Sequence, residues 1–229
     1  MAEKFAGYGQ EAVDWFIGLE RDNSKSYFTA TRSQWETHVL QPLTAMLESL
    51  ALEFGGTVRV FRQNRDVRFS RDKSPYKTTT YGVLERSGSA AGLYAQISAA
   101  GLYAATGYHE MASDQLERFR EAIAHDKTGA ALVAILHKIH SAGLTTMTLT
   151  PPLKTAPRSY PRDHPRVELL RQKDLVVGRL LPPGAELASP GAQEHVAAVW
   201  RAGLPLGAWL DKHVGESDTP PEVRYGARP

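Results

Sequence analysis

A chain of 229 residues, 42% hydrophobic and 23% charged, is long enough to bury a substantial core and short enough to do so as one domain. A formal charge of +2 argues against basicity over the whole surface, and the lack of cysteine excludes disulfides, thiolate metal sites, iron–sulfur clusters and cysteine nucleophiles. No window approaches the ~20 apolar residues of a membrane span, and MAEKFAGYGQEAVDWF lacks the apolar run of a signal peptide, so a cytoplasmic protein without a membrane partner is expected.

Ala12, Val13, Phe16 and Leu19 recur at helical spacing and predict a short amphipathic helix that ends in the polar run Glu20-Arg21-Asp22-Asn23. A longer stripe of Phe28, Trp35, Val39, Leu43, Leu47, Leu50 and Phe54 predicts a second helix stopped by Gly55-Gly56 and divided or kinked at Pro42. Val58 to Phe69 is rich in Val and Phe and reads as a strand, with Lys73-Ser74-Pro75 as a turn. Thr78 to Leu84, Leu93 to Ala99 and Leu102 to Thr106 read as an antiparallel meander.

After Gly107 the pattern returns to helix, with Ser113 or Asp114 as cap and Leu116, Phe119 and Ile123 on one face. A further helix follows from Gly129. Pro151 to Pro165, with five prolines, reads as a stiff irregular excursion of the type that borders sites. Val167 to Leu170 predicts a helical turn or two, and Leu175 to Leu181 a strand. Ser189-Pro190 opens a last helix that Pro205 interrupts, and the chain beyond Gly215 reads as a frayed tail. The sum is one α+β domain over residues 1–215, a mainly antiparallel sheet covered by several helices, with a tail over 216–229.

Chemistry concentrates between Arg59 and Lys77, where seven basic and two acidic residues give a local +5 and leave the rest of the chain at −3. On a strand, alternation sends Arg62, Asn64, Asp66 and Arg68 to one face and Arg59, Phe61, Gln63, Arg65, Val67 and Phe69 to the other. Guanidiniums at fixed spacing suit bidentate recognition of phosphate or carboxylate, with Asp66 orienting Arg62 and Arg68. The turn that follows offers Asp72, Lys73, Ser74, Tyr76, Lys77, Thr78 and Thr79 to complete an anion cradle. The alternative is a structural ion-pair network around Asp66 with no ligand. A third reading uses Phe61, Phe69, Tyr76 and Tyr81 as stacking surfaces for nucleic-acid bases.

Elsewhere signals are weaker. His109-Glu110 starts like a zinc-protease helix, but Ser113 stands where the second histidine is required, and His137 with His140 reads as ordinary surface, so no metal site is expected. His164, between Asp163 and Pro165, is a candidate acid or base, or simply part of a helix-entry turn. Asp66 is the other weak catalytic candidate. No Walker loop, dinucleotide fingerprint or nucleophile elbow is present.

RQNRDVRFSRDKSPYK, from Arg62 to Lys77, resembles the uncharacterised family known as domain of unknown function 2461. Arg62, Arg65, Asp66, Arg68, Phe69, Asp72, Lys73, Tyr76 and Lys77 match its motif position by position. The stretch from Asp22 to Phe28 is similar to the family's Asn-Asn-x-x-x-Trp-Phe, with Asn23 and Phe28 retained and Tyr27 differing. Pro157 to Lys173 is similar to its C-terminal segment, so the resemblance spans about residues 10–185. It carries no activity over, and cofactor and oligomeric state stay open. It implies that the arginine motif and the Pro157 to Lys173 loop belong to one design and share a cleft. From the residues themselves, the first expectation is that Arg62, Arg65, Asp66, Arg68, Asp72, Lys73, Tyr76, Lys77 and Arg158 bind an anionic small molecule or nucleotide.

Overall fold

A computed structural model describes residues 5–68 and 70–218. Its strands form one six-stranded sheet of order β1-β2-β3-β4-β6-β5, and helices complete an α+β fold. The strands are β1 (Thr57–Val60), β2 (Thr79–Glu85), β3 (Gly92–Ser98), β4 (Gly101–Tyr108), β5 (Thr145–Met147) and β6 (Leu175–Leu181). Among the described residues, no helix is long and apolar enough to cross a membrane. The chain divides into two compact units, one of Met1–Glu85, Leu93–Ala104 and Arg179–Val199, the other of Arg86–Gly92, Ala105–Gly178 and Trp200–Pro229.

In the first unit, helix α1 (Gln10–Arg21) buries the apolar side of its wheel, Ala12, Val13, Trp15, Phe16 and Leu19. Helix α2 (Lys25–Trp35) opens on Ser24, whose hydroxyl accepts from the Tyr27 N–H. The expected long second helix is three pieces: α2, a π turn over Glu36–Leu40, and α3 (Gln41–Phe54). Pro42 has no N–H to give the preceding turn, and the widened turn just before it absorbs that loss. Leu43, Met46, Leu47 and Leu50 of α3 are buried. A Cβ at Gly82 of β2 would run into the Leu47 side chain, so glycine permits the close helix–sheet approach. The inward residues Leu84, Leu93, Ala95, Ile97, Leu102 and Ala104 alternate with half-exposed ones, as the meander requires.

In the second unit, α4 (Ser113–Ala124) and α5 (Asp126–Ser141) bury Phe119, Ile123, Leu132, Leu136 and Ile139. Neither Ser113 nor Asp114 caps α4; it opens from Ala112, whose N–H donates to the Gln115 carboxamide oxygen. Helix α5 begins earlier than Gly129, and β5 escapes sequence reading because three residues are too few to show a period. Helix α6 (Val167–Leu170) follows the irregular Pro-rich excursion.

The last helix, α7 (Gly191–His213), runs unbroken through Pro205. Pro205 is exposed, while Trp200, Leu206, Trp209 and Leu210 flank it in buried positions, and their burial outweighs one lost helical hydrogen bond. In the second unit, Asp211 of α7 accepts from the Tyr108 hydroxyl at 2.9 Å, the Ser89 hydroxyl at 2.6 Å and the Ala90 N–H at 3.0 Å. The start of the expected tail is tied down: Ser217 donates to Asp114 at 2.7 Å, and Asp218 pairs with Arg118 at 3.2 Å. The rest of that tail, residues 219–229, lies outside the described residues.

Candidate functional site: a side-chain-tied arginine hairpin

The arginine motif is not a strand. β1 ends at Val60, and just beyond it the Phe61 N–H donates to the Tyr81 carbonyl of β2 at 3.0 Å. The chain then folds back on itself: Lys77 N–H donates to Gln63 O at 2.9 Å, Arg65 N–H to Pro75 O at 2.8 Å, and Asn64 faces Tyr76 in an isolated antiparallel bridge. Side chains have replaced the ladder. Buried Gln63 donates through its amide to the carbonyls of Lys77 and Thr79 and accepts from the Thr80 hydroxyl at 2.7 Å. That hydroxyl in turn accepts from the Trp35 indole N–H at 2.9 Å. These side-chain bonds, between residues far apart in the chain, stand where ladder bonds would have been, so the two-face assignment of the arginines does not hold. Phe69 lies outside the described residues.

Each cation has its own neighbours. Asp66 turns to Arg68 alone among the two arginines expected of it, accepting from its Nε at 3.1 Å, its Nη2 at 2.9 Å and its backbone N–H at 3.2 Å. The hydrogen bond and charge of Asp66 push the Arg68 guanidinium pKa up. Arg65 pairs with Asp72 and also donates to Ser74 O at 3.2 Å. The Ser74 hydroxyl and N–H, at 2.6 and 2.9 Å, hold the Asp72 carboxyl well below the usual carboxylate range, with Arg65 adding to them. Lys73 donates to Val67 O at 2.9 Å, and Lys77 donates to Arg62 O with its ammonium 4.8 Å from the Tyr81 ring centroid. Burial, then the Arg62 charge, pulls the Lys77 pKa down. Arg59 pairs with Glu85 at 3.1 Å and lies over the Phe61 ring. Arg62 and Arg71 are exposed, with no ion pair among the described residues.

The hairpin is pinned by the corner between α1 and α2. The Asn23 carboxamide donates to Tyr76 O at 3.1 Å and accepts from Tyr76 N–H at 3.0 Å, pairing with that backbone as a strand neighbour would. Phe28 stacks on the Tyr76 ring at 4.2 Å and 15°. Between corner and hairpin lies an open recess of about 480 Å³ lined by Glu20, Asn23, Arg65, Asp72, Ser74, Tyr76, Lys77, Thr78 and Thr79. Its size suits a small ligand. Of the site residues expected from sequence, Arg65, Asp72, Tyr76 and Lys77 come together here; Arg62, Asp66, Arg68 and Lys73 lie elsewhere on the hairpin and do not line it. Glu20 and Asn23 were not expected as site residues. Asn23 was signalled only by its place in the N-terminal motif, and Glu20 only as the polar end of a helix.

Arg158 belongs to the second unit, where it lines another recess of about 570 Å³ with Ser113, Glu117, Arg120, Glu121, Pro157, Ser159 and Tyr160. Arg120 is anchored through Nε to Leu170 O at 3.2 Å, and burial lowers its pKa. His164 accepts the Arg166 N–H on Nδ1 at 3.1 Å, which makes it part of the turn into α6. Arg166 caps the end of α4, donating to Ile123 O at 2.7 Å and Ala124 O at 3.0 Å. Among the described residues, no cluster of three or more His, Asp or Glu is placed to hold a metal ion.

A family model described as a conserved hypothetical protein, DUF2461, matches residues 11–209 of the chain. No curated protein and no solved structure matches it.

Proposed function

Since the chain belongs to the DUF2461 family of conserved hypothetical proteins, we propose a function from geometry alone: the first-unit recess binds a small molecule bearing a phosphate or carboxylate. The supporting observation is that Arg65 and Lys77, the cations of the hairpin that line the recess, sit there with the hydroxyls of Ser74, Thr78 and Thr79. A guanidinium already fixed by Asp72 and Ser74 presents its remaining N–H groups at little entropic cost. Asp72 thereby takes the orienting part first given to Asp66. Glu20 and Asp72 on the same walls favour a ligand that also carries hydroxyl or amine donors. No group is assigned a catalytic part.

The test is a thermal-shift series with inorganic phosphate, glycerol phosphate and small hydroxy acids on wild type and Arg65→Ala. Ligand at 100 times its Kd stabilises by about 2.7 kcal/mol, a shift that Arg65→Ala should remove. If no anion shifts the wild type, or both proteins respond alike, the proposal fails. That outcome would favour the structural reading, for which the pairs Arg59–Glu85, Arg65–Asp72 and Arg68–Asp66 speak.

A further inference from the structure

The recess does not end at its polar walls. Thr79 lines it, and Tyr81 lies two residues further along β2 on the same face, because Thr80, Gly82 and Leu84 point into the core while Thr79, Tyr81 and Val83 stay half-exposed. Two residues of strand span about 7 Å. The register pairs Tyr81 with Gln96 and Val83 with Tyr94, and both β3 residues are half-exposed. Tyr81, Tyr94 and Gln96 therefore form one patch that begins where the recess stops. Its rings are grouped, with Phe61 against Tyr81 at 4.7 Å and 24° and Tyr81 to Tyr94 at 5.5 Å and 34°. Lys77 belongs to both places, lining the recess while its ammonium rests over Tyr81.

We propose that the ligand is a nucleoside phosphate, its phosphate held in the recess by Arg65 and Lys77 and its base laid on the Tyr81 and Tyr94 rings beside Gln96. This rests on the anion reading of the same recess. Thr79 at the recess and Tyr81 lie about 7 Å apart along the strand, a span of the order that a ribose covers between its phosphate and its base. Every base offers a π face to an aromatic ring, so the patch supplies what the recess lacks. Gln96 accepts from the Tyr94 hydroxyl through its carboxamide oxygen, which leaves its amide N–H groups, unpartnered among the described residues, to donate to acceptors on the base edge. When the phosphate arrives, Lys77 exchanges the Arg62 carbonyl and the Tyr81 ring for a charge-assisted bond to a phosphate oxygen. That movement uncovers the ring face for the base.

A free nucleotide and the terminal nucleotide of a single strand present the same chemistry. The test is calorimetric titration of adenosine 5′-monophosphate, adenosine, glycerol phosphate and a short 5′-phosphorylated single-stranded oligonucleotide into wild type, Tyr81→Leu and Arg65→Ala. The monophosphate should bind roughly tenfold more tightly than glycerol phosphate, in line with the worth of one stacked base. Tyr81→Leu should cut that advantage several-fold and, because it frees Lys77 from the ring, should leave glycerol phosphate binding at least as tight as in wild type. Should Tyr81→Leu fail to fold, Gln96→Ala must lower monophosphate affinity and spare glycerol phosphate. If glycerol phosphate binds wild type as tightly as the monophosphate, the base site is refuted and the anion site stands. If neither binds, or Arg65→Ala leaves both unaffected, the anion site is refuted and the base site falls with it. An oligonucleotide that binds more tightly than the monophosphate supports the proposal with a strand end as ligand, and one that binds less tightly supports it with a free nucleotide.

Discussion

Asn23→Ala should release the arginine hairpin from the helical corner that carries it. The Asn23 carboxamide makes two hydrogen bonds to the backbone of Tyr76, a residue only 6% exposed, so both the N–H and the carbonyl lose their partner together. Each such bond is worth about 1 kcal/mol net, and more where the orphaned group stays dry, so the loss is about 2–3 kcal/mol. In a chain of this size that lowers Tm by roughly 4–12 °C, at about 2–4 °C per kcal/mol. Urea unfolding followed by circular dichroism gives the global figure, and amide exchange across residues 63–77 gives the local one. Exchange at Arg65 and Lys77 should quicken, because their N–H bonds close the hairpin that Asn23 anchors. Asn23→Asp should not rescue, since it keeps an acceptor for the Tyr76 N–H but turns a carboxylate toward the Tyr76 carbonyl. A change below about 0.5 kcal/mol, within the range of ordinary surface substitutions, with unaltered hairpin exchange would refute the pinning role.

Three further outcomes are expected. Thr80→Val keeps shape but breaks the buried run from Trp35 to Thr80 to Gln63, orphaning an indole N–H and a carboxamide oxygen; urea unfolding should report a loss of about 2–4 kcal/mol. Asp211→Ala leaves the Ser89 and Tyr108 hydroxyls and the Ala90 N–H without their acceptor and should cost about 2–3 kcal/mol. It should also let Tyr108 ionise more easily on alkaline titration, because the Asp211 hydrogen bond and charge add to burial in raising its pKa. His195, buried with Nε2 3.2 Å from Arg179 O, has its pKa lowered chiefly by burial. Its unfolded form therefore takes up a proton at higher pH than its folded form. Stability should fall as pH drops below the unfolded value of about 6.5, and His195→Gln should flatten that slope in pH-dependent urea unfolding.

Much of the framework can be read from periodicity. The stripe on α1, the two-residue alternation of β2 and β3 and the apolar run of β6 are each dictated by which residues must leave water, and that requirement is local. Of the two helix prolines one misleads. Pro42 does mark a division, taken up by the π turn just before it, whereas Pro205 interrupts nothing and is carried by the burial of Trp200, Leu206 and Trp209 around it. A pattern of residues records the loss of one N–H, but the packing that offsets it depends on neighbours far along the chain.

The candidate site divides the same way. The sequence by itself determines that the basic residues between Arg59 and Lys77 are a local concentration and that Asn23 with Phe28 belongs to the same family pattern. Tertiary structure decides that the segment is a hairpin and not a strand, because Gln63, Thr80 and Trp35 meet across 45 residues of chain and supply the hydrogen bonds a ladder would have made. It also decides which charges face one another. Asp66 serves Arg68 and Asp72 serves Arg65, so Arg65 and Lys77 reach the recess while Arg62 and Arg68 do not line it. Charge and composition are properties of the residues themselves, whereas a side chain's direction depends on the backbone beneath it, and that backbone is fixed by contacts such as Asn23 to Tyr76 that span 53 positions.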